Sequence, residues 1–272
     1  MGIAEDAERA AFDAVRGWAR GAMRLASDGS SGREATRKGD PFDLVTATDG
    51  AIERYLRDQV RASFPEHGFL GEEEGGGDGS FGWLWIVDPI DGTLNYSTGL
   101  AGSACSIACR RDDELVIGAI ADYSAGLIYR ARAGTGAILV DDGRTETVAR
   151  PSRSAAGDAR VFLEFGWEDL DPVMLGVMAA VAEHRLRVVR MIGGAAEAIL
   201  NVALHGGCMF GLGLRIWDVA AGIVIAREAG RDVRVWDLGS VVNVLVGTAD
   251  DIEELAPIIE RFSERRVAPV GS

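Results

Sequence analysis

Basic residues are in short supply. Lys and Arg number 28 against 42 Asp and Glu in 272 residues, a net charge of −14 with histidine neutral. Nucleic acids and anionic membranes need cationic contacts, so neither is expected as a partner. A small phosphorylated substrate stays open, because a bound metal ion can invert the field inside one pocket. Cysteine is scarce too. Cys105, Cys109 and Cys208 are odd in number and wrongly spaced for a disulfide framework or a zinc site, and read as buried thiols in a reducing cytoplasm. His67, His184 and His205 stand apart from one another and from the cysteines. No uncharged apolar run of about 18 residues occurs, so no membrane span is expected. The first residues carry acids and lack the apolar core of a signal peptide. Apolar residues at 47% and charged residues at 26% exclude a wholly disordered chain.

What is present is a chain longer than the usual single domain, which predicts one large domain or two joined halves. Apolar residues recur at helical spacing over 4–27. The polar, glycine-rich stretch Ser27–Gly39 reads as a loop. A second helix, capped by Thr48 or Asp49, ends before Pro65. Glu72–Gly79 reads as an acid-and-glycine loop, and Trp83–Val87 as a buried strand. Strands at Ala104–Arg110, Val116–Asp122, Leu127–Arg132 and Ala137–Val140 have short connections, which predicts an antiparallel sheet. The composition shifts near Arg150–Asp158. Beyond it strands and helices alternate: Arg160–Glu164, Pro172–Glu183, Arg187–Met191, Ala195–His205, Cys208–Leu212, Asp218–Ala229, Val241–Gly247 and Asp250–Phe262. The expected class is α/β, with an α+β half over 1–150 and an α/β half over 151–272. The 36 glycines are spread over many turns rather than gathered in one tract.

The main chemical signal lies at the end of the buried strand, where Asp88-Pro89-Ile90-Asp91-Gly92-Thr93 follows five apolar residues. Carboxylates beside such a strand are costly unless paired, and a divalent cation satisfies them. Gly92 permits close approach of a ligand, and Thr93 stands where a helix can begin with amides suited to phosphate. The same residues also read as an Asp-rich turn with a helix cap. Three further acidic sites have equally plain alternatives. Gly71-Glu72-Glu73-Glu74 reads as a solvated loop, while Thr46-Ala47-Thr48-Asp49 and Trp217-Asp218 read as helix caps. Together the four can furnish the all-oxygen sphere that Mg²⁺ prefers.

These segments resemble the inositol monophosphatase family, within the lithium-sensitive, magnesium-dependent sugar phosphatases. The resemblance rests on KGDPFDLVTATD at Lys38–Asp49, GEE at Gly71–Glu73, WIVDPIDGTLNY at Trp85–Tyr96 and WDVAAGIVIAREAG at Trp217–Gly230, in the family's order and spacing. It implies a layered αβαβα sandwich with the site between its two halves. It implies that Glu72, Asp88 and the Ile90 carbonyl hold one Mg²⁺, that Asp88, Asp91 and Asp218 hold a second, and that a looser third sits near Glu72. Mn²⁺ is a possible substitute. Asp49 and Thr93 would orient and deprotonate the attacking water, with Glu72 as the third catalytic residue. The amides of Gly92 and Thr93 would grip phosphate, and Lys38 matches a lysine on the loop after the first helix. The implied activity is phosphomonoester hydrolysis by direct attack of metal-activated water, without a phosphoenzyme, in a homodimer.

The substrate side departs from the family pattern. An acidic residue is common six positions before the tryptophan-aspartate pair, where this chain has Gly211. In Arg190-Met191-Ile192-Gly193-Gly194-Ala195-Ala196 the family usually has Ser or Thr where Gly194 stands. Arg231 replaces a second glycine after EAG, in a turn. Losing buried polar contacts to substrate hydroxyls changes discrimination strongly. The expected substrate is therefore a sugar, cyclitol or nucleoside-like phosphate other than myo-inositol 1-phosphate, with Arg215 and Trp167 as further candidate contacts. Histidinol phosphate, fructose 1,6-bisphosphate and 3′-phosphoadenosine 5′-phosphate are alternative substrates. A non-catalytic protein-binding regulator is the alternative of another class, disfavoured because every expected metal carboxylate is present.

Overall fold

The computed structural model describes residues 2–28, 34–37, 44–77, 82–136, 138–149, 160–166, 178–179, 182–183 and 188–266. Lys38, Trp167, the 150–158 stretch and most of the expected 172–183 helix lie outside the described residues. Helix α1 spans Gly2–Ser27 and α2 Ala47–Ser63. Between them β1, Ala35–Arg37, pairs antiparallel with β2, Leu44–Thr46, so that β1 is a strand inside the stretch 27–39 that the sequence presents as loop. The α2 cap is Thr46, not Thr48 or Asp49: Asp49 sits three residues in and completes a capping box.

Among the described residues the large sheet has eight strands. They are β3 Gly68–Gly71, β4 Gly75–Gly77, β5 Trp83–Asp91, β6 Ala104–Arg111, β7 Glu114–Asp122, β8 Leu127–Arg132, β9 Ile138–Asp141 and β10 Glu146–Ala149. Their order is β10-β9-β8-β7-β6-β5-β3-β4. As expected from the short connections, neighbours are antiparallel, except that β3 and β5 run parallel. The short helix α3, Thr93–Thr98, follows β5 directly. The second sheet has order β12-β11-β13-β15-β14, from β11 Arg160–Phe165, β12 Val188–Arg190, β13 Cys208–Leu214, β14 Asp232–Asp237 and β15 Val242–Gly247. Helices α4 Ala195–His205, α5 Ile216–Glu228 and α6 Ala249–Arg266 complete the described elements.

Side-chain alternation explains the layering. Trp83, Trp85 and Val87 point from β5 into one core with α1 and α2. Leu84 and Ile86 point the other way, into a second core with α4, α5 and one face of the small sheet. Phe210, Leu212 and Leu245 on that sheet's far face pack under Leu255 and Ala256 of α6. The result is the expected αβαβα sandwich, and it accounts for the unbroken apolar run of β5, covered on both faces. The hydropathy of α5 says the same: it lies between two sheets and buries Val219 through Ala226 on all sides. His67 is structural, stacked between Phe64 and Trp83 and accepting from Trp85 Nε1 at 3.0 Å. Among the described residues no helix is long and apolar enough to cross a membrane.

Candidate active site

The site forms where β5 breaks its ladder. Asp88 pairs with Ser106 and Asp91 with Ala104, so three steps along β5 match two along β6. This is a β-bulge, and the extra residue brings two side chains of odd separation to the same side of the sheet. Pro89, which lacks a ladder donor, sits inside it. Tyr123 Oη donates to the Pro89 carbonyl at 2.7 Å and holds the irregular segment from behind. Gly92 then takes φ +78°, and a side chain there would collide with the Gly102 carbonyl.

Three other elements deliver carboxylates to this bulge. Asp218, in the first turn of α5, offers an oxygen that lies with one each from Asp88 and Asp91 inside a mutual 4.8 Å. Ser106 Oγ donates to the Trp217 carbonyl at 2.8 Å and pins the start of α5 to β6. Glu72, just after β3, hydrogen-bonds the Asp88 carboxyl and repels Asp218. Asp49 is fully buried and close enough to Glu72 to feel its charge. The four distant stretches singled out in the sequence therefore meet in one place. Cap and cluster are compatible roles. Asp49 Oδ2 accepts from the Thr46 amide at 2.9 Å, and Asp218 Oδ2 from the Arg215 amide at 2.8 Å. Asp49 Oδ1 is buried with no hydrogen-bond partner among the described residues.

The electrostatics follow from crowding. Burial raises the Asp88 carboxyl well above its ordinary value, and the charges of Glu72, Asp91 and Asp218 push it the same way. Burial and then Asp218 raise Asp91, against the pull of the Ala195 and Ala196 amides. Asp218 is pushed up to about 7 by burial and Glu72, and Asp49 to about 6, chiefly by burial. Arg215 relieves Asp218 in part, but aims Nη1 at the Ser240 carbonyl, 2.8 Å away. A buried, mutually repelling, all-oxygen donor set with one unused carboxylate oxygen fits a small divalent cation with water in its sphere.

Thr93 opens α3 and donates from Oγ1 to the Ile90 carbonyl at 2.9 Å. The Ala195 and Ala196 amides donate to Asp91 at 3.2 and 2.7 Å, so the start of α4 is tied to the bulge. Gly193 has φ +81°, and a Cβ at Gly194 would come within 2.7 Å of the Gly102 carbonyl, which leaves no room for Ser or Thr in this backbone. Gly211 lies buried inside β13, where a Cβ would press on Leu214, Val244 and Met209. Arg215 is engaged with Ser240, as given above.

Three residues of this region carry no site role in the sequence. Glu53 accepts the Glu73 and Glu74 amides at 2.7 and 3.0 Å and so fixes the turn after Glu72. Asn95 Nδ2 donates to the Gly102 and Ile192 carbonyls at 2.9 and 2.8 Å. Glu164 accepts from the Ile192 amide at 2.7 Å. Only Glu53 left a signal: it stands four residues after Asp49, on the apolar face of α2.

The sequence model of the inositol monophosphatase family matches residues 4–263. The inositol-1-monophosphatase SuhB of Mycobacterium tuberculosis is 33% identical over 266 residues, 94% of this chain and 91% of that protein. The inositol-1-monophosphatase of Bacillus subtilis is 33% identical over 71% of this chain and 72% of its own length. The crystal structure of extragenic suppressor protein suhB from Bartonella henselae superposes with a TM-score of 0.79 at 26% identity, covering 92% of this chain and 98% of that one.

Proposed function

The chain belongs to the inositol monophosphatase family, whose members hydrolyse phosphoric monoesters, and we propose that it is a Mg²⁺-dependent phosphatase of a small phosphorylated metabolite. The observation that carries the proposal is the meeting of Asp49, Glu72, Asp88, Asp91 and Asp218 around one bulge. Glu72, Asp88 and the Ile90 carbonyl are the proposed ligands of one ion, and Asp88, Asp91 and Asp218 of another. Two to three ions are proposed per site, with Mn²⁺ as a substitute. A bound dication supplies neutralisation of the phosphate charge and the acidity that makes water nucleophilic.

The chain's own residues do the rest. The amides of Gly92 and Thr93 bind phosphate oxygens at the start of α3. Asp49 Oδ1, buried and without a hydrogen-bond partner among the described residues, accepts the proton of the attacking water, with Thr93 Oγ1 orienting it. Its raised pKa of about 6 makes it a better proton acceptor near neutrality than an ordinary Asp. Little covalent work remains for the protein, so positioning dominates and attack is direct and in line.

The proposed leaving-group side comprises the 191–194 turn, Gly211 and Arg215, with Lys38 as a further proposed contact. Gly194 and Gly211 contribute no polar side chain, which supports a leaving group other than myo-inositol. The enzyme is proposed to act as a cytoplasmic homodimer, its halves dividing at 150/151. The test is phosphate release with Mg²⁺ from a panel of sugar, cyclitol, nucleotide and amino-alcohol phosphates. Turnover of at least one ester is expected, with Asp91→Asn folded and inactive. A panel without turnover removes the proposal, and inositol phosphate ranked first by a wide margin removes its substrate half.

A further inference from the structure

The turn at 191–194 is held from two sides. From α3, Asn95 Nδ2 donates to the Ile192 carbonyl. From β11, Glu164 takes both neighbouring amides: Oε1 accepts from Ile192 at 2.7 Å and Oε2 from Gly193 at 3.1 Å. Glu164 is only 5% exposed, although it carries a carboxylate. Its register partner across the parallel β11/β13 pair is Gly211. Partners in parallel strands project to the same side of a sheet, and at 211 there is no side chain. The turn that Glu164 grips touches the reacting region directly. The Gly193 carbonyl packs on Gly92, and Gly194 packs on Asp91 Oδ2 and the Gly102 carbonyl.

We propose that Glu164 is the positioning residue that sets the leaving-group side of the site, by clamping the Ile192 and Gly193 amides and fixing the 191–194 turn against Gly92. The inference rests on the phosphatase reading above. A buried carboxylate would not be kept for packing, since an apolar residue of that size fits a core at lower cost. Two N–H bonds to one carboxylate fix both the height and the twist of the turn. Glu164 makes no hydrogen bond to a proposed metal ligand, its effect on Asp91 being through charge alone, and the phosphate grip at Gly92 and Thr93 belongs to another element. Its loss should therefore separate recognition of the alcohol from recognition of phosphate.

The test uses the full-length enzyme with Mg²⁺, the best ester of the panel, and inorganic phosphate as a competitive inhibitor. Glu164→Ala should raise KM for the ester by about tenfold, the scale of a lost hydrogen bond to a charged group. The inhibition constant of phosphate and kcat should each stay within about twofold. Glu164→Gln, which keeps one acceptor oxygen but turns an NH₂ group toward the other amide, should raise KM by a smaller factor of about threefold with the phosphate constant unmoved, and serves if the alanine variant does not fold. Amide hydrogen exchange at Ile192 and Gly193 should quicken in Glu164→Ala without any substrate present. Equal rises in KM and in the phosphate constant would make Glu164 a fold residue and end the proposal. So would an unchanged KM, or unchanged exchange at the two amides. A wild type that releases phosphate from no ester overturns the phosphatase reading and this proposal with it; a working wild type beside an unmoved Glu164→Ala overturns the proposal alone.

Discussion

Asp141 and Asp88 lie on the same sheet and are equally buried, at 1% and 2% exposure. Their surroundings are opposite. Asp141 accepts from Arg20 Nε at 2.6 Å, Arg16 Nε at 3.0 Å and the Gly143 amide at 2.9 Å. The bond from Arg20, then that from Arg16, holds its carboxyl well below the usual range. Asp88 has one amide, from Ile90 at 2.9 Å, and three acidic neighbours that push it up. Both carboxylates pay desolvation, and only one is compensated by the protein itself. The difference separates an ion network that is complete within the chain from one whose charge balance calls for a dication.

The sharpest way to break this comparison is to neutralise each acid. Asp88→Asn should lower kcat/KM by about 10³ or more, since it removes the proposed shared ligand. Without metal, the same variant should melt no lower than the wild type, because a like charge has gone from a crowded cluster. A retained tenth of the activity would remove Asp88 from the site. Asp141→Ala should act in reverse. Breaking a buried pair costs about 3–5 kcal/mol, and the partly exposed arginines bring that toward about 2–3 kcal/mol. Melting should fall by roughly 5–10 °C, with kcat/KM within about twofold. Should both variants melt alike, the contrast between the two centres is lost.

Metal and pH sharpen it further. Saturation at about one hundred times Kd stabilises a fold by about 2.7 kcal/mol. Mg²⁺ should therefore raise the melting temperature by roughly 5–10 °C. The pH dependence has a definite sign. Asp218 rises from 3.8 to about 7, so in the metal-free fold its ionisation costs stability progressively as pH climbs through that range. Glu197, raised to about 7 mainly by burial and then by Asp122, adds to the same slope. Asp141, depressed, contributes fully above its unfolded value and is lost in stronger acid. Metal-free protein should thus be most stable near pH 4–5, and Mg²⁺ should move the optimum toward neutrality, as thermal melts across pH would record. An optimum at pH 8 without metal would contradict the crowding of Asp88, Asp91 and Asp218.

How much of this was legible depended on where the determining contact lies. The bounds of β8 follow from alternation within Leu127–Arg132 alone, and those of α1 from a single apolar stripe. The carboxylates proposed to hold metal were legible because each sits in a local motif, Glu72, Asp88 and Asp91 with Gly or Pro beside them and Asp218 at a helix start. The edge strands did not. β14 is half polar and largely exposed, and β4 is three glycines, so pairing rather than hydropathy makes them strands. The α2 cap lies two residues before Thr48 and three before Asp49, because Thr46 and Thr48 look alike until Asp49 folds back onto one of them. Glu164 and Asn95 were invisible for a different reason. Glu164 binds amides 28 and 29 residues away, and Asn95 a carbonyl 97 away, so no local pattern encodes their roles.

The smallest expected effect tests a residue that stands between the two centres. Glu53 is as fully satisfied as Asp141, by Arg57 Nη2 at 2.7 Å and the amides of Glu73 and Glu74. Arg57 in turn donates to the Gly75 carbonyl at 3.0 Å and lies over the Phe69 ring. Yet what Glu53 and Arg57 hold is the turn that presents Glu72 to the bulge. Glu53→Gln replaces one acceptor by an NH₂ group that faces an amide donor. It should cost about 1–2 kcal/mol, or roughly 2–6 °C in melting. Because supporting contacts tune ligand geometry, the Mg²⁺ concentration for half-maximal activity should rise about tenfold, with kcat at saturating Mg²⁺ nearly unchanged. Metal binding followed by titration calorimetry should weaken in parallel. If melting drops while the Mg²⁺ requirement stays put, Glu53 belongs with Asp141, and the turn carrying Glu72 keeps its geometry without help from α2.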